Sequence, residues 1–166
     1  MTPMGKCAEA EAMREEVLAV QKRVLGEEHP DTLSTASYLA NIYAARGKYV
    51  EAEATQAGVL AASKRVRGEE HPDALRAAEC LAVTCEEQGK LAKAAAMCRE
   101  VLAAQKRVFG RSHPAMLSTA ANLALVLPLQ GKRAAAEELL RLSVEQQSAA
   151  LGPDHPAALH ATTTLG

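Results

Sequence analysis

From Leu33 onward, apolar residues fall at Leu33, Ala36, Leu39, Ala40 and Tyr43, three and four positions apart, which is the rhythm of a half-buried α-helix. The pattern breaks at Gly47 and resumes through Val50, Ala52, Val59, Leu60 and Val66 up to Gly68, predicting a second helix. A break of that size suits an antiparallel helix hairpin. We call the first helix of such a pair A-type and the second B-type. The pattern then returns with a shift of 42 residues. Leu33, Leu75, Leu117 and Leu159 share one column, Leu39, Leu81, Leu123 and Leu165 a second, and Ala10, Ala52, Ala94 and Ala136 a third. A period of this length, held along the chain, marks a repeat architecture.

The breaks between helices are as regular as the helices. Gly26-Glu-Glu-His29-Pro30-Asp31 recurs unchanged as Gly68-Glu-Glu-His71-Pro72-Asp73, and looser copies stand at Gly110-Arg-Ser-His113-Pro114 and Gly152-Pro-Asp-His155-Pro156. The glycine follows the last apolar residue of a B-type helix, where a left-handed C-terminal cap favours a residue without Cβ. Proline is pre-set for a first helical turn and has no N–H to leave unbonded there, so A-type helices are predicted to begin near Pro30, Pro72, Pro114 and Pro156. The proline holds His29 and His71 extended, and Asp31 and Asp73 place negative charge near a helix N-terminus. One residue breaks the regularity. Pro128 falls inside the third A-type helix, where its ring meets the Ala124 carbonyl, and predicts a kink or an early end near Ala124 to Leu127.

Four histidines in register invite a metal reading, which geometry opposes. Equivalent corners lie two helices apart, on the order of 18 Å, whereas zinc holds its ligands about 2 Å from one point. Nearly every His, Lys and Glu is accounted for by a repeat column, so the convergence of nucleophile, base and stabilising donors that an enzyme requires is missing. No catalytic residue, metal or cofactor is expected.

Composition agrees with helices. Alanine makes up roughly a fifth of the chain, away from average globular usage, while aromatics are 2% and Trp is absent. Strands would favour aromatic and β-branched residues. Charge is balanced, 19 basic against 20 acidic residues, so no electrostatic footprint points to nucleic acid. No apolar run is long enough to span a bilayer. Glu9, Glu11, Glu15 and Glu16 near the amino terminus fit neither a secretory nor a transit signal, so a cytoplasmic location is expected. Cys7, Cys80, Cys85 and Cys98 lack metal or redox spacing and read as small thiols inside helical patterns.

Leu39-Ala40, Tyr43, Gly47, Ala52 and the later proline resemble the tetratricopeptide repeat. The 42-residue unit, its Gly-x-x-His-Pro corners and the Asn122-Leu123-Ala124 stretch are similar to the kinesin light chain type of that repeat. The resemblance implies an all-α, right-handed solenoid of stacked antiparallel helix pairs. It places a B-type half-repeat at 5–25, full repeats at 30–67, 72–109 and 114–151, and an A-type half-repeat at 156–166, in one array that reads as a piece of a longer one. Leu159 and Leu165 would then lack a covering B-type helix and the first B-type helix its A-type partner, which predicts self-association through the ends.

In such arrays the A-type helices line a concave groove for a peptide or partner protein. Carrying that groove over selects Ser37, Tyr38 and Asn41, with Ser34 and Ala45, in the first full repeat. It selects Arg76, Glu79, Cys80 and Val83, with Glu87, in the second, and Asn122, Leu125 and Leu129, with Ser118 and Ala121, in the third. These columns vary while the packing columns stay fixed. The family's backbone-binding asparagine column holds Tyr38, Cys80 and Asn122 here, and Arg76 stands nearly alone among basic groove positions. The Lys-Arg pairs at 22/23, 64/65 and 106/107 close B-type helices, where cations complement the helix dipole; stacked, they would instead form a basic ridge. The implied function is a non-catalytic protein-interaction module, a scaffold or cargo adaptor of the kinesin light chain kind. The alternative is a structural spacer without a ligand of its own.

Overall fold

The computed structural model describes residues 3–110, 113–129 and 131–151. The described residues form seven α-helices and no strand, as the hydrophobic pattern predicts: α1 (Pro3–Val24), α2 (Pro30–Ala45), α3 (Tyr49–Arg67), α4 (Pro72–Glu87), α5 (Leu91–Phe109), α6 (Pro114–Leu129) and α7 (Arg133–Leu151). They fall into two compact units, Met1–Gly89 with α1 to α4 and Lys90–Gly166 with α5 to α7. Within each unit every helix packs on its successor in the chain. The A-type helices α2, α4 and α6 begin at Pro30, Pro72 and Pro114 as expected; the start expected at Pro156, and Leu159 and Leu165 with it, lies outside the described residues.

The corners do more than the sequence reading assigned to them. His29 and His71 are extended (φ −65°, ψ 139° and 141°), and each is itself the N-cap. The imidazole Nδ1 of His29 accepts from the Asp31 N–H, that of His71 from the Asp73 N–H and that of His113 from the Ala115 N–H, each at 3.2 Å. Each bond satisfies a donor that the first helical turn leaves without a partner. An Nδ1 that accepts leaves the ring proton on Nε2.

Glycine roles are the reverse of expectation. Gly68 and Gly110 have positive φ (99° and 81°) but extended ψ (159° and 174°), a region reserved for glycine that is not the left-handed cap. That cap sits inside the pairs. Gly47 has φ 74°, its N–H donates to the Ala44 carbonyl at 2.9 Å, and the Lys48 N–H donates to the Tyr43 carbonyl at 2.9 Å, the two bonds of a Schellman motif. Gly131 repeats it, with bonds to the carbonyls of Pro128 (2.9 Å) and, through Lys132, of Leu127 (2.8 Å). This explains why α6 does not end early at Ala124 to Leu127. It keeps the 16-residue span of α2 and α4, because Pro128 contributes only a carbonyl to the closing motif.

Alanine columns bring helices together. Ala40 and Ala52, where α2 and α3 pair, are fully buried, and Ala124 and Ala136 are buried in α6 and α7; small side chains permit the shorter interaxial distances. In the first unit Leu18, Ala36, Leu39 and Val59 form a core cluster with Tyr43 and Ala77 packed against it. Burying a side chain such as Leu39 contributes about 1.5–3 kcal/mol. Val50 and Val66, counted from the sequence into the B-type face, are instead exposed. The buried stripe of α3 is Ala52, Gln56, Val59, Ala62 and Ser63, and Val50 points away from it at 3.6 residues per turn. The equivalents of Val59 and Ala62 on α1, Val17 and Val20, are exposed.

Polar contacts fasten B-type helices to the next A-type helix. On α1, Glu11 is only 6% exposed and its two carboxylate oxygens receive the Arg46 guanidinium and the Lys48 ammonium. The hydrogen bond from Lys48 holds its carboxyl below the ordinary range, burial opposing it and Arg46 adding to it. Tyr43 donates its hydroxyl to Glu15 at 2.7 Å. Burial, with that bond, pushes the phenol up to about 12. Between α3 and α4 the equivalent acid, Glu53, accepts from Gln88 Nε2 at 2.7 Å.

Candidate functional site

In the first unit, α2, α3 and α4 frame a cleft of about 170 Å³. Ser34, Ser37, Tyr38 and Asn41 recur at three- and four-residue spacing along one face of α2, and Asp73, Arg76, Ala77 and Cys80 do so along α4. These faces make the walls. The floor is a stripe of α3, Gln56, Val59 and Ser63, all at least nine-tenths buried, with Arg67 at its end.

Six of the residues selected from the sequence therefore meet here: Ser34, Ser37, Tyr38, Asn41, Arg76 and Cys80. Glu79 and Val83, both half-buried on α4, lie outside the cleft lining. Asn122, half-buried, and Leu125 and Leu129, each more than three-fifths exposed, are carried by α6 in the second unit. The α3 floor was not foreseen. Its signal was legible all the same, as polar Gln56 and Ser63 stand inside the helix's apolar stripe, where an unneeded polar group is costly.

The rim is charged and the floor polar. Asp73 pairs with the Arg67 guanidinium through one oxygen, and Arg76 lies 3.8 Å from the other. Two guanidinium groups facing one carboxylate leave the rim with a net positive charge. Tyr38 is 59% exposed and carries the Arg14 guanidinium of α1 5.1 Å above its ring centroid, a cation–π contact. The Ser37 hydroxyl donates to the Leu33 carbonyl at 2.9 Å. Burial pushes the Cys80 thiol up, with Arg76 opposing it, so the thiol is held in its un-nucleophilic form. At the floor, Gln56 Oε1 is buried without a hydrogen-bond partner.

One cation from each of the first two Lys-Arg pairs meets an acidic corner: Lys22 lies 4.0 Å from Glu27, and Arg65 of α3 pairs with Glu28. These two contacts offset part of the positive charge that a basic ridge would need.

The sequence pattern of the family described as Tetratricopeptide repeat matches residues 2–55, 31–106 and 73–145. Among solved structures, a point variant of a Podosopora anserina protein, described as a kinesin light chain with nearly identical TPR-like repeats, superposes with a TM-score of 0.85. It is 30% identical, over 97% of this chain and 76% of that one. The same protein without the substitution gives 0.84 at the same identity and coverage. BtubC (BKLC) from P. vanneervenii has a TM-score of 0.81 at 22% identity, over 92% of this chain and 60% of that one, a likeness of fold alone. No curated protein matches by sequence.

Proposed function

The chain belongs to the tetratricopeptide repeat family, in its kinesin light chain type, and from that premise we propose that it is a non-catalytic interaction module, a scaffold or adaptor. In this reading the α2–α3–α4 cleft of its first unit grips a short peptide segment of a partner protein. The observation that carries the reading is the convergence of Ser37, Tyr38, Asn41, Arg76 and Cys80 on one cleft with a nearly closed floor. Pockets for drug-sized ligands run from about 300 Å³ upward, so about 170 Å³ suits one inserted side chain of a peptide that continues outside. Val59, Leu33 and Ala77 offer it apolar contact, while Asn41 and Arg76 reach for its backbone or a carboxylate. A single buried anchor contributes roughly 1.5–3 kcal/mol, so the expected affinity is micromolar, near 8 kcal/mol.

Fluorescence anisotropy with peptides selected from a randomised library tests it. Tyr38→Ala and Arg76→Glu are expected to weaken binding about tenfold or more, and Lys64→Glu, on the ridge, to leave it unchanged. If Lys64→Glu abolishes binding while both cleft variants, folded by circular dichroism, bind as before, the cleft is the wrong site and the ridge replaces it.

A further inference from the structure

Met13, Val17, Val20 and Val24 of α1 are each between 46% and 67% exposed and alternate at four and three residues, which sets them in one line along the helix. The buried residues of α1, Glu11 and Leu18, stand on a different face, the one that packs on α2. An exposed apolar stripe of this kind marks an interaction surface. Elsewhere in the chain the same column positions are covered: Val59 and Ala62 on α3 and Val101 and Ala104 on α5 are buried, and Val59 packs with Ala36 and Leu39 of α2. A helix is therefore what this face takes. α1 departs from the others at Val20, where they carry alanine. Alanine lets two helices close up, whereas a bulkier residue holds them further apart, as in a heptad seam with apolar residues every three and four positions. The two flanks of that seam differ. One holds Arg14, stacked on the Tyr38 ring, and half-buried Gln21. The other holds Glu16 and Arg23, both exposed, opposite charges one heptad apart.

We propose that the stripe is a dimerisation seam, covered by α1 of a second copy of this chain running antiparallel. In the register that sets Val17 against Val20 of the second copy, Met13 meets Val24, and Glu16 faces Arg23 on both sides of the two-fold axis. The surface is then self-complementary in shape and in charge, as a two-fold contact requires. A parallel pair would set Glu16 beside the uncharged Gln21 and lose both of these charge pairs. One helix pair buries less than the roughly 1,600 Å² of a standard interface, so the dimer is weak, with a dissociation constant of about 10 μM. The seam shares no residue with the α2–α3–α4 cleft. Dimerisation leaves that cleft open and puts two copies of it in one particle, which a bivalent partner would hold more tightly.

Sedimentation velocity of the full chain across the micromolar range tests the seam, and a monomer–dimer equilibrium is expected. Val17→Asp with Val20→Asp, at positions exposed in the single chain, is expected to keep its helical circular dichroism and to weaken the dimer about a hundredfold by burying unpaired charge. Glu16→Arg and Arg23→Glu each set like charges together twice and should weaken it about fivefold, while the two combined restore it. A chain that stays monomeric throughout, or one that associates as before with both aspartates in place, overturns the proposal. So does a mass that grows past the dimer with concentration, the sign of a head-to-tail contact. A combined charge variant no stronger than the single ones overturns the antiparallel register. The charge set decides the matter even if the aspartate variant does not fold.

Discussion

The first and second units join a B-type helix to the A-type helix after it in different ways. In the first, acid and partner lie 35 residues apart twice over, Glu11 with Arg46 and Glu53 with Gln88. In the second, the corresponding sequence positions hold Ala95 and Gln130. A neighbouring column changes in step, from Tyr43 with its bond to Glu15, through Cys85 near Glu53 at 4.0 Å, to a buried Leu127. Down the repeats the residue that meets the acid changes from arginine to glutamine, and in the second unit the acid itself gives way to alanine, while the A-type helices keep their 16 residues. The period dictates which positions meet and leaves their chemistry free. Apolar burial and a satisfied ion pair can occupy equivalent places at similar net stability, since desolvation offsets much of the Coulomb gain.

The sharpest way to break this comparison is to put the first unit's chemistry into the second. Ala95 is 1% exposed, so Ala95→Glu forces a carboxylate into a space shaped for a methyl group. We expect a loss of about 3 kcal/mol or more, read from urea unfolding of the full chain. A loss under about 1 kcal/mol would mean that the second unit accepts an ionic joint as readily as the first.

The next effect is on the acid side of neutrality. Glu11 has its carboxyl lowered by Lys48 and Arg46. Its contribution to stability is therefore present above the unfolded carboxylate value, about 4.3, and is lost as pH falls through the lower value of the folded state. Glu11→Gln should melt several degrees below the wild type at pH 7 and converge with it in strong acid. Parallel curves at all pH values would remove the ionic joint from the account. On the alkaline side, Tyr43, pushed up to about 12, should ionise well after the ordinary phenol value of about 10. The folded state then binds its proton more tightly than the unfolded one, so its stabilisation is full below about pH 10 and lost from there towards 12. Tyrosinate absorbance, compared with Tyr43→Phe, reads this directly.

The smallest effect belongs to a device that both units share. His71→Ala in the first unit and His113→Ala in the second each remove an imidazole cap and should cost about 1 kcal/mol, with Asn in place of His recovering most of it. Unequal losses would show that the corners, too, differ between units.

The fold was readable because its signals are local and repeated. Prolines and glycines restrict backbone dihedrals wherever they stand, and four copies average out accident. The α2 and α4 lining of the candidate cleft was readable in part, because resemblance supplies the face and helical periodicity supplies the residues, although Glu79 and Val83 lie outside that lining. What escaped was set by contacts between helices. Gln56 and Ser63 belong to a B-type helix, and only the packing of α2 and α4 on either side turns that stripe into a floor. The histidine caps escaped because an imidazole is an uncommon substitute for the usual hydroxyl or carboxylate cap, and its role depends on ring orientation. Gly47 and Gly68 were both recognised as breaks, but their distinct conformations depend on ψ and on the bonds that follow, which a residue name does not carry.

Each corner closes on itself. The His71 imidazole reaches two residues along the chain to the Asp73 N–H, and the Gly47 closure reaches back to Tyr43 and Ala44. Copying or deleting one whole period therefore carries every start and stop along intact, whereas it re-pairs the joints that reach 35 residues ahead, setting a Glu11-like acid against whatever residue the new neighbour brings. Corners behave as punctuation that survives rearrangement and joints as rules of adjacency, so the array can change length freely in its backbone and only selectively in its side chains.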